Sequence, residues 1–127
     1  MPVITVWGLP SSLDCVFLAR LREMLRTAVA EIAELEITRQ QVTVFFPSDL
    51  TGNAVGVEIV ARVTELFDKP EGKPERTVEI KNRVAKAVRE CLRINLEQHL
   101  RCLAMIEVPV YGFYPKFDGF DAWSKNK

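Results

Sequence analysis

The sequence predicts an α+β fold: two βαβ units in the order β-α-β-β-α-β, forming a four-stranded mixed sheet with two helices on one face. Three observations lead there. Runs rich in β-branched and apolar residues occur at Pro2 to Trp7, Val42 to Phe46, Val55 to Phe67 and Leu103 to Val110. Between the first and second runs, and again between the third and fourth, apolar residues recur every three or four positions, which is the period of a helix with one buried face. Glycine and proline clusters punctuate the boundaries, so the order strand, helix, strand occurs twice. A chain of 127 residues suits one compact domain, 1–127, with halves at about 1–50 and 51–123.

The first strand, Pro2 to Trp7, ends at Gly8-Leu9-Pro10-Ser11, where glycine and proline stop the run and serine offers a helix cap. The first helix follows. Leu13, Phe17, Leu21, Met24, Ala28, Ile32 and Leu35 form its apolar stripe, and Met24 is expected in the core. Arg20, Arg22, Glu23, Arg26, Glu31 and Glu34 fall largely off that stripe. Val42 to Phe46 is the second strand, closed by Pro47-Ser48-Asp49, and the intervening helix makes it a parallel neighbour of the first through a right-handed crossover.

Gly52-Asn53 marks the turn into the third run, where Val57, Ile59, Ala61 and Val63 alternate with Glu58, Arg62 and Thr64. One face of that strand is therefore polar or interfacial. Asp68 to Glu75 holds two prolines, a glycine and five charges and reads as a loop. The second helix starts near Arg76 or Thr77, with Thr77, Ile80, Val84, Ala87, Val88 and Cys91 on its buried stripe and Glu79, Lys81, Arg83, Lys86 and Arg89 on its exposed one. The fourth strand presents Ala104, Ile106, Val108 and Val110 to the core. Beyond it, Tyr111 to Trp123 holds six aromatic residues, which must cover either a pocket of the domain or another subunit. The same string of elements also fits a ferredoxin-like fold.

Seventeen basic residues balance seventeen acidic ones, so no global field recruits nucleic acid or an anionic membrane. The hydrophobic runs are of strand length and the N-terminus lacks a signal-peptide pattern, so a soluble, cytoplasmic protein is expected. Cys15, Cys91 and Cys102 are odd in number and widely spaced, unlike a disulfide framework or a CxxC unit, and read as buried thiols. His99, the one histidine, has no nucleophile motif beside it and reads as a solvated residue at a helix end or in a loop.

Pro2 carries the sharpest chemical expectation. With Met1 removed it is a secondary amine at the end of a strand, and burial would lower its basicity below the ordinary α-amino value of about 8. Such an amine can act as a base near neutral pH. The plain structural alternative is that proline opens a strand because no ladder hydrogen bond is lost there.

Met1-Pro2 with its strand, the repeated βαβ halves and the aromatic C-terminal segment resemble the tautomerase superfamily, the group of 4-oxalocrotonate tautomerase, macrophage migration inhibitory factor and the chloroacrylate dehalogenases. Glu75-Arg76-Thr77-Val78-Glu79-Ile80-Lys81 is similar to the Gly-Arg-Ser/Thr-x-Glu-Gln-Lys stretch that opens a helix in small tautomerases. It lies in the second half, as in fused, double-length members; Glu75 replaces the motif's glycine, and Gly8-Leu9-Pro10-Ser11-Ser12 has no arginine at the matching point of the first half.

The resemblance implies a cofactor-independent isomerase. Pro2 would move a proton alpha to a carbonyl of a small carboxylate-bearing substrate, in keto-enol tautomerisation or related hydratase or dehalogenase chemistry. Arg76 would hold the carboxylate, helped by Lys73 or Lys69, with Arg39 as a second cation and Tyr111 and Tyr114 as a wall near the proline. Asp118 and Asp121 are weaker candidates for activating water. It also implies a homotrimer with the aromatic tail at the interface, and neither nucleic acid nor membrane as a partner. The alternatives are a catalytically silent oligomeric domain and a ferredoxin-like binding module.

Overall fold

The computed structural model describes residues 2–48, 51, 54–66, 76–112 and 117–125. Five strands form one mixed sheet in the order β2-β1-β3-β4-β5: β1 (Val3–Trp7), β2 (Thr43–Phe45), β3 (Glu58–Thr64), β4 (Met105–Tyr111) and β5 (Phe117–Ser124). Helices α1 (Cys15–Ala30) and α2 (Val78–Leu96) pack on one face. β1 and β2 are parallel neighbours, β3 and β4 likewise, and β1 and β3 join the halves antiparallel. That adjacency excludes the ferredoxin-like alternative, in which another strand separates the two strands of each βαβ unit.

The fifth strand corrects the expected four. The aromatic tail supplies it, pairing β5 antiparallel to β4 with Pro109 opposite Phe120 and Ile106 opposite Trp123. Trp123 packs against the core from the helix side, while Phe120 is 42% exposed. Gly119 lets β5 lie against α2, since a Cβ there would stand 2.6 Å from the Lys81 Cβ and 2.9 Å from its carbonyl carbon.

The core lies between sheet and helices. β1 contributes Ile4 and Val6, β3 Ile59, Ala61 and Val63, β4 Ile106, Val108 and Val110; Leu21, Leu25 and Val29 of α1 and Val84, Val88, Leu92 and Leu96 of α2 meet them. Asp14, not a serine, caps α1: its Oδ1 accepts from the Phe17 N–H at 2.7 Å. α1 stops at Ala30, so Ile32 and Leu35 reach the core from an irregular segment and a 3-10 turn (Ala33–Leu35), not from the helix.

Two stripes differ from expectation. Met24 is 43% exposed because Leu21, Leu25 and Val29 set the buried line. Lys81 is 1% exposed, beneath β5, because a strand absent from the four-stranded reading covers that side of α2. Nor are the cysteines all buried: Cys15 and Cys102 are exposed and Cys91 is intermediate. His99 is exposed just beyond α2, its ring 4.4 Å from that of Phe17.

Candidate functional site

Sheet directions decide what meets Pro2. Val3 pairs with Thr43 of parallel β2, and the Thr43 N–H donates to the Pro2 carbonyl at 3.1 Å, so the segment ahead of β2 lies at the Pro2 end. Antiparallel β3 finishes there, with Thr64 opposite Val3. β4, parallel to β3, brings Tyr111 to the same end, one residue past the Val63 and Val110 pair. α2 begins there as well, because Arg76 and Arg83 reach the segment between α1 and β2.

Pro2 itself is buried at the start of a strand flanked on both sides. Arg76 is 4% exposed, and its Nη2 donates to the Leu35 carbonyl at 3.4 Å. It is thus not the solvated helix-end residue that its place before α2 suggests. Burial draws its pKa below the ordinary arginine value, yet a guanidinium keeps its charge. Thr77 caps α2 by accepting from the Ile80 N–H at 3.3 Å, which fixes where the chain enters the helix beside Arg76.

Arg39 is exposed on a second 3-10 turn (Arg39–Gln41). That turn is held firmly. Thr38 and Gln41 form a reciprocal capping box, and the Arg26 Nε of α1 donates to the Arg39 carbonyl at 3.1 Å while its Nη1 binds both Glu23 oxygens. Arg83 of α2 pairs with Glu34 on the preceding 3-10 turn. The 33–41 segment is therefore tied to both helices.

Tyr111 is half-buried, with the Arg62 guanidinium 5.6 Å from its ring centroid. Arg62 belongs to the exposed face of β3, where it lies opposite Thr5 of β1. Asp121 is engaged elsewhere: its Oδ2 accepts from the Arg89 Nε at 2.9 Å, so it braces β5 on α2. Lys69, Lys73 and Tyr114 lie outside the described residues, as does the side chain of Asp118. The structure brings Pro2, Arg39, Arg76 and Tyr111 to one end of the sheet and keeps Asp121 apart from them.

Two residues there were not singled out from sequence. Glu65, directly after β3, has φ 62°, and Glu36, closing the first 3-10 turn, has φ 52°. A left-handed glutamate has no reliable sequence signal, since glycine or asparagine usually marks such positions.

A pocket of ≈ 160 Å³ lies at the opposite end of the sheet, where β1 and β2 finish, lined by Leu9, Pro10, Leu13, Leu18, Phe46 and Ser48 among others. None of the candidate residues lines it. Among the described residues, no three His, Cys, Asp or Glu side chains gather to hold a metal ion, and no helix is long and apolar enough to cross a membrane.

No family model and no curated protein matches the chain. Solved structures do. A wild-type fused 4-OT symmetric trimer is 14% identical, covering 87% of this chain and 85% of its own, with a TM-score of 0.57. A member of the cis-3-chloroacrylic acid dehalogenase family is 18% identical over 88% of this chain and 73% of that one, with a TM-score of 0.55. A protein inactivated by 2-oxo-3-pentynoate is 15% identical over 88% and 84%, with a TM-score of 0.54. At these identities the likeness establishes the shared fold.

Proposed function

We propose, for a chain whose fold is that of the tautomerase superfamily, that Pro2 with Met1 removed is the general base of a cofactor-independent tautomerase acting on a small carboxylate-bearing substrate. The observation that carries this reading is the convergence of Pro2, Arg39, Arg76 and Tyr111 on one end of the sheet, from four separate elements. A secondary amine near two guanidinium groups and out of bulk water loses its proton more readily than a solvated one. It takes a proton alpha to the carbonyl, the C–H pair becomes the C=C bond while the carbonyl π pair moves to oxygen as an enolate, and the ammonium delivers that proton to the enolate oxygen or to another carbon of the conjugated system. Arg39, exposed on a braced turn, offers the substrate carboxylate two parallel N–H donors. Arg76 adds positive potential at the same end of the sheet, and Tyr111 stands there at the end of β4; Tyr114 and Lys73, the other candidates, lie outside the described residues. A homotrimer, like the symmetric trimer of the fused 4-OT structure, would place the site at a subunit boundary.

The test is ketonisation of phenylenolpyruvate, with intact mass recording whether Met1 is lost. Pro2→Ala is expected to cost at least about 100-fold in kcat/KM, and equal rates for the two proteins would defeat the mechanism. A second reading has its own support. Arg76 is buried against the Leu35 carbonyl, a bond with a purely structural use, so a catalytically silent oligomeric domain is the reading that remains if neither protein turns over substrate.

A further inference from the structure

The sheet has two equivalent ends. β1 and β3 run antiparallel at its centre, and each is the first strand of a βαβ unit, so the two halves follow one plan turned end for end. What the second half places at the Pro2 end therefore has a first-half counterpart at the other end. The segment from β3 to α2 carries Arg76, and its counterpart from β1 to α1 is Gly8 to Asp14. Tyr111 closes β4, and the counterpart is the end of β2 at Phe45 and Phe46.

The pocket of ≈ 160 Å³ occupies that counterpart position. Leu9, Pro10 and Leu13 come from the β1 to α1 segment, Phe46 and Ser48 from beyond β2, and Ala54 from the approach to β3. It lies past the carboxyl ends of the parallel pair β1 and β2, where ligands of such sheets commonly bind. The chemistry is reversed. Arg39 and Arg76 gather at the Pro2 end, whereas none of the described residues lining the far pocket is charged. Leu9 is buried, Leu13 and Phe46 are half-buried, and Ser11 and Ser48 are exposed, so the apolar part lies deep and the two hydroxyls lie towards solvent.

These walls are fixed. The Gly56 N–H donates to the Gly8 carbonyl at 3.2 Å, the Leu13 N–H donates to the Pro10 carbonyl at 3.3 Å, and Asp14 caps α1. Gly56 has φ 77°, and a Cβ on it would stand 3.1 Å from the Leu100 Cδ1 and 3.3 Å from the Pro10 Cδ. A cavity held open in this way costs an entering ligand little ordering of the chain.

We propose that the far-end pocket is a second binding site, for a small neutral molecule built on one aromatic ring and bearing one hydroxyl. Size sets the ring, since an apolar cavity of about 150 Å³ holds benzene. Phe46 offers an aromatic face, and Leu9, Leu13 and Leu18 with the two prolines offer apolar surface. The Ser11 and Ser48 hydroxyls can each donate to or accept from the ligand hydroxyl. A carboxylate is excluded because it would be desolvated with no cation to pair it. The site is independent of the Pro2 reading, requiring neither a free N-terminal amine nor Arg76.

The experiment titrates phenol into the full chain with ¹³C-labelled leucine methyl groups, read by NMR, with benzoate as the charged control. Saturable shifts are expected at the Leu9, Leu13 and Leu18 methyls, with Overhauser contacts from the phenol ring protons to the same groups, and neither is expected from benzoate. Ala54→Phe puts a ring into the space and should weaken phenol binding at least about tenfold, while Pro2→Ala should leave it unaltered. Shifts that do not saturate, shifts centred elsewhere, equal binding of benzoate, loss of binding in Pro2→Ala, or undiminished binding by folded Ala54→Phe would each overturn the proposal. Where circular dichroism shows Ala54→Phe unfolded, the wild-type Overhauser contacts decide, and their absence overturns it. A pocket filled by a second copy of the chain would give no such contacts and overturns it too. Turnover of phenylenolpyruvate plays no part in these readouts, so failure of the catalytic reading is seen separately.

Discussion

Cys91 lies in α2 with its Sγ 3.7 Å from the Asn95 Nδ2 and its surroundings largely apolar. Burial pushes its thiol up from 9.0 to about 11, with the Asn95 contact pulling weakly the other way. The thiolate is the reactive form, so at pH 8 an alkylating reagent should modify Cys15 and Cys102 quickly and Cys91 slowly, as read by mass spectrometry. The same shift has a stability consequence. The neutral thiol is favoured by folding, so its contribution is complete below pH 9, the value expected unfolded, and is lost as pH climbs through about 11. Cys91→Ala should flatten that part of the stability curve, measured by urea unfolding at pH 8 and pH 10.5. Arg76 calls for a different kind of reading. Arg76→Ala removes a buried donor from the Leu35 carbonyl and should destabilise the fold by about 1–3 kcal/mol. Arg39→Ala, at an exposed site, should leave the unfolding midpoint within experimental error and raise KM for a carboxylate substrate, which separates binding from support.

The join between β5 and α2 leaves no room for a larger residue at Gly119. Gly119 faces the Lys81 backbone at distances no real Cβ occupies, the Phe120 N–H donates to the Asn82 Oδ1 at 2.9 Å, and Arg89 grips Asp121. Gly119→Ala must push strand from helix, straining those polar contacts and the Trp123 packing. A loss of about 1–3 kcal/mol is expected by urea unfolding. Gly8 constrains the other end of the sheet. Its φ is 97° and a Cβ would stand 2.2 Å from the Glu58 carbonyl oxygen, so β1 can leave the sheet towards α1 only through glycine. Within the sheet, pairing of β3 with β4 skips from Val60 and Glu107 to Val63 and Val110. Pro109 falls in that gap, having no N–H to donate.

At the scale of the whole molecule, both described helices lie on one face of the sheet. Register places Phe45, Thr5, Arg62, Pro109 and Phe120 in one row across the opposite face, where Pro109 is buried, with Trp7 in the next row on β1. Phe45 is 55% exposed, Trp7 46% and Phe120 42%, which is a large apolar area to leave against water. Under the proposed trimer these rings become subunit contacts. Phe45→Glu should then shift the species seen by native mass spectrometry or light scattering towards monomer, whereas a wild type already monomeric at tens of micromolar would remove the trimer from the proposal.

The first four strands, the two amphipathic helices and their order were legible in the sequence because period and punctuation are local: Ile59, Ala61 and Val63 alternate, and Leu21, Leu25 and Val29 step by four, whatever the rest of the chain does. Pro2 and Arg76 were legible as candidates for the same reason, through a strand start and a short motif. What tertiary structure alone decided was everything that depends on which strand lies beside which. A tail of rings became a fifth strand, Lys81 was buried under it, and Arg76 turned from solvent to the Leu35 carbonyl. The pairing of Val3 with Thr64 is the sharpest instance. It joins residues more than sixty positions apart, and contact at that separation is set by the packing of the whole sheet, which no local preference of the chain encodes.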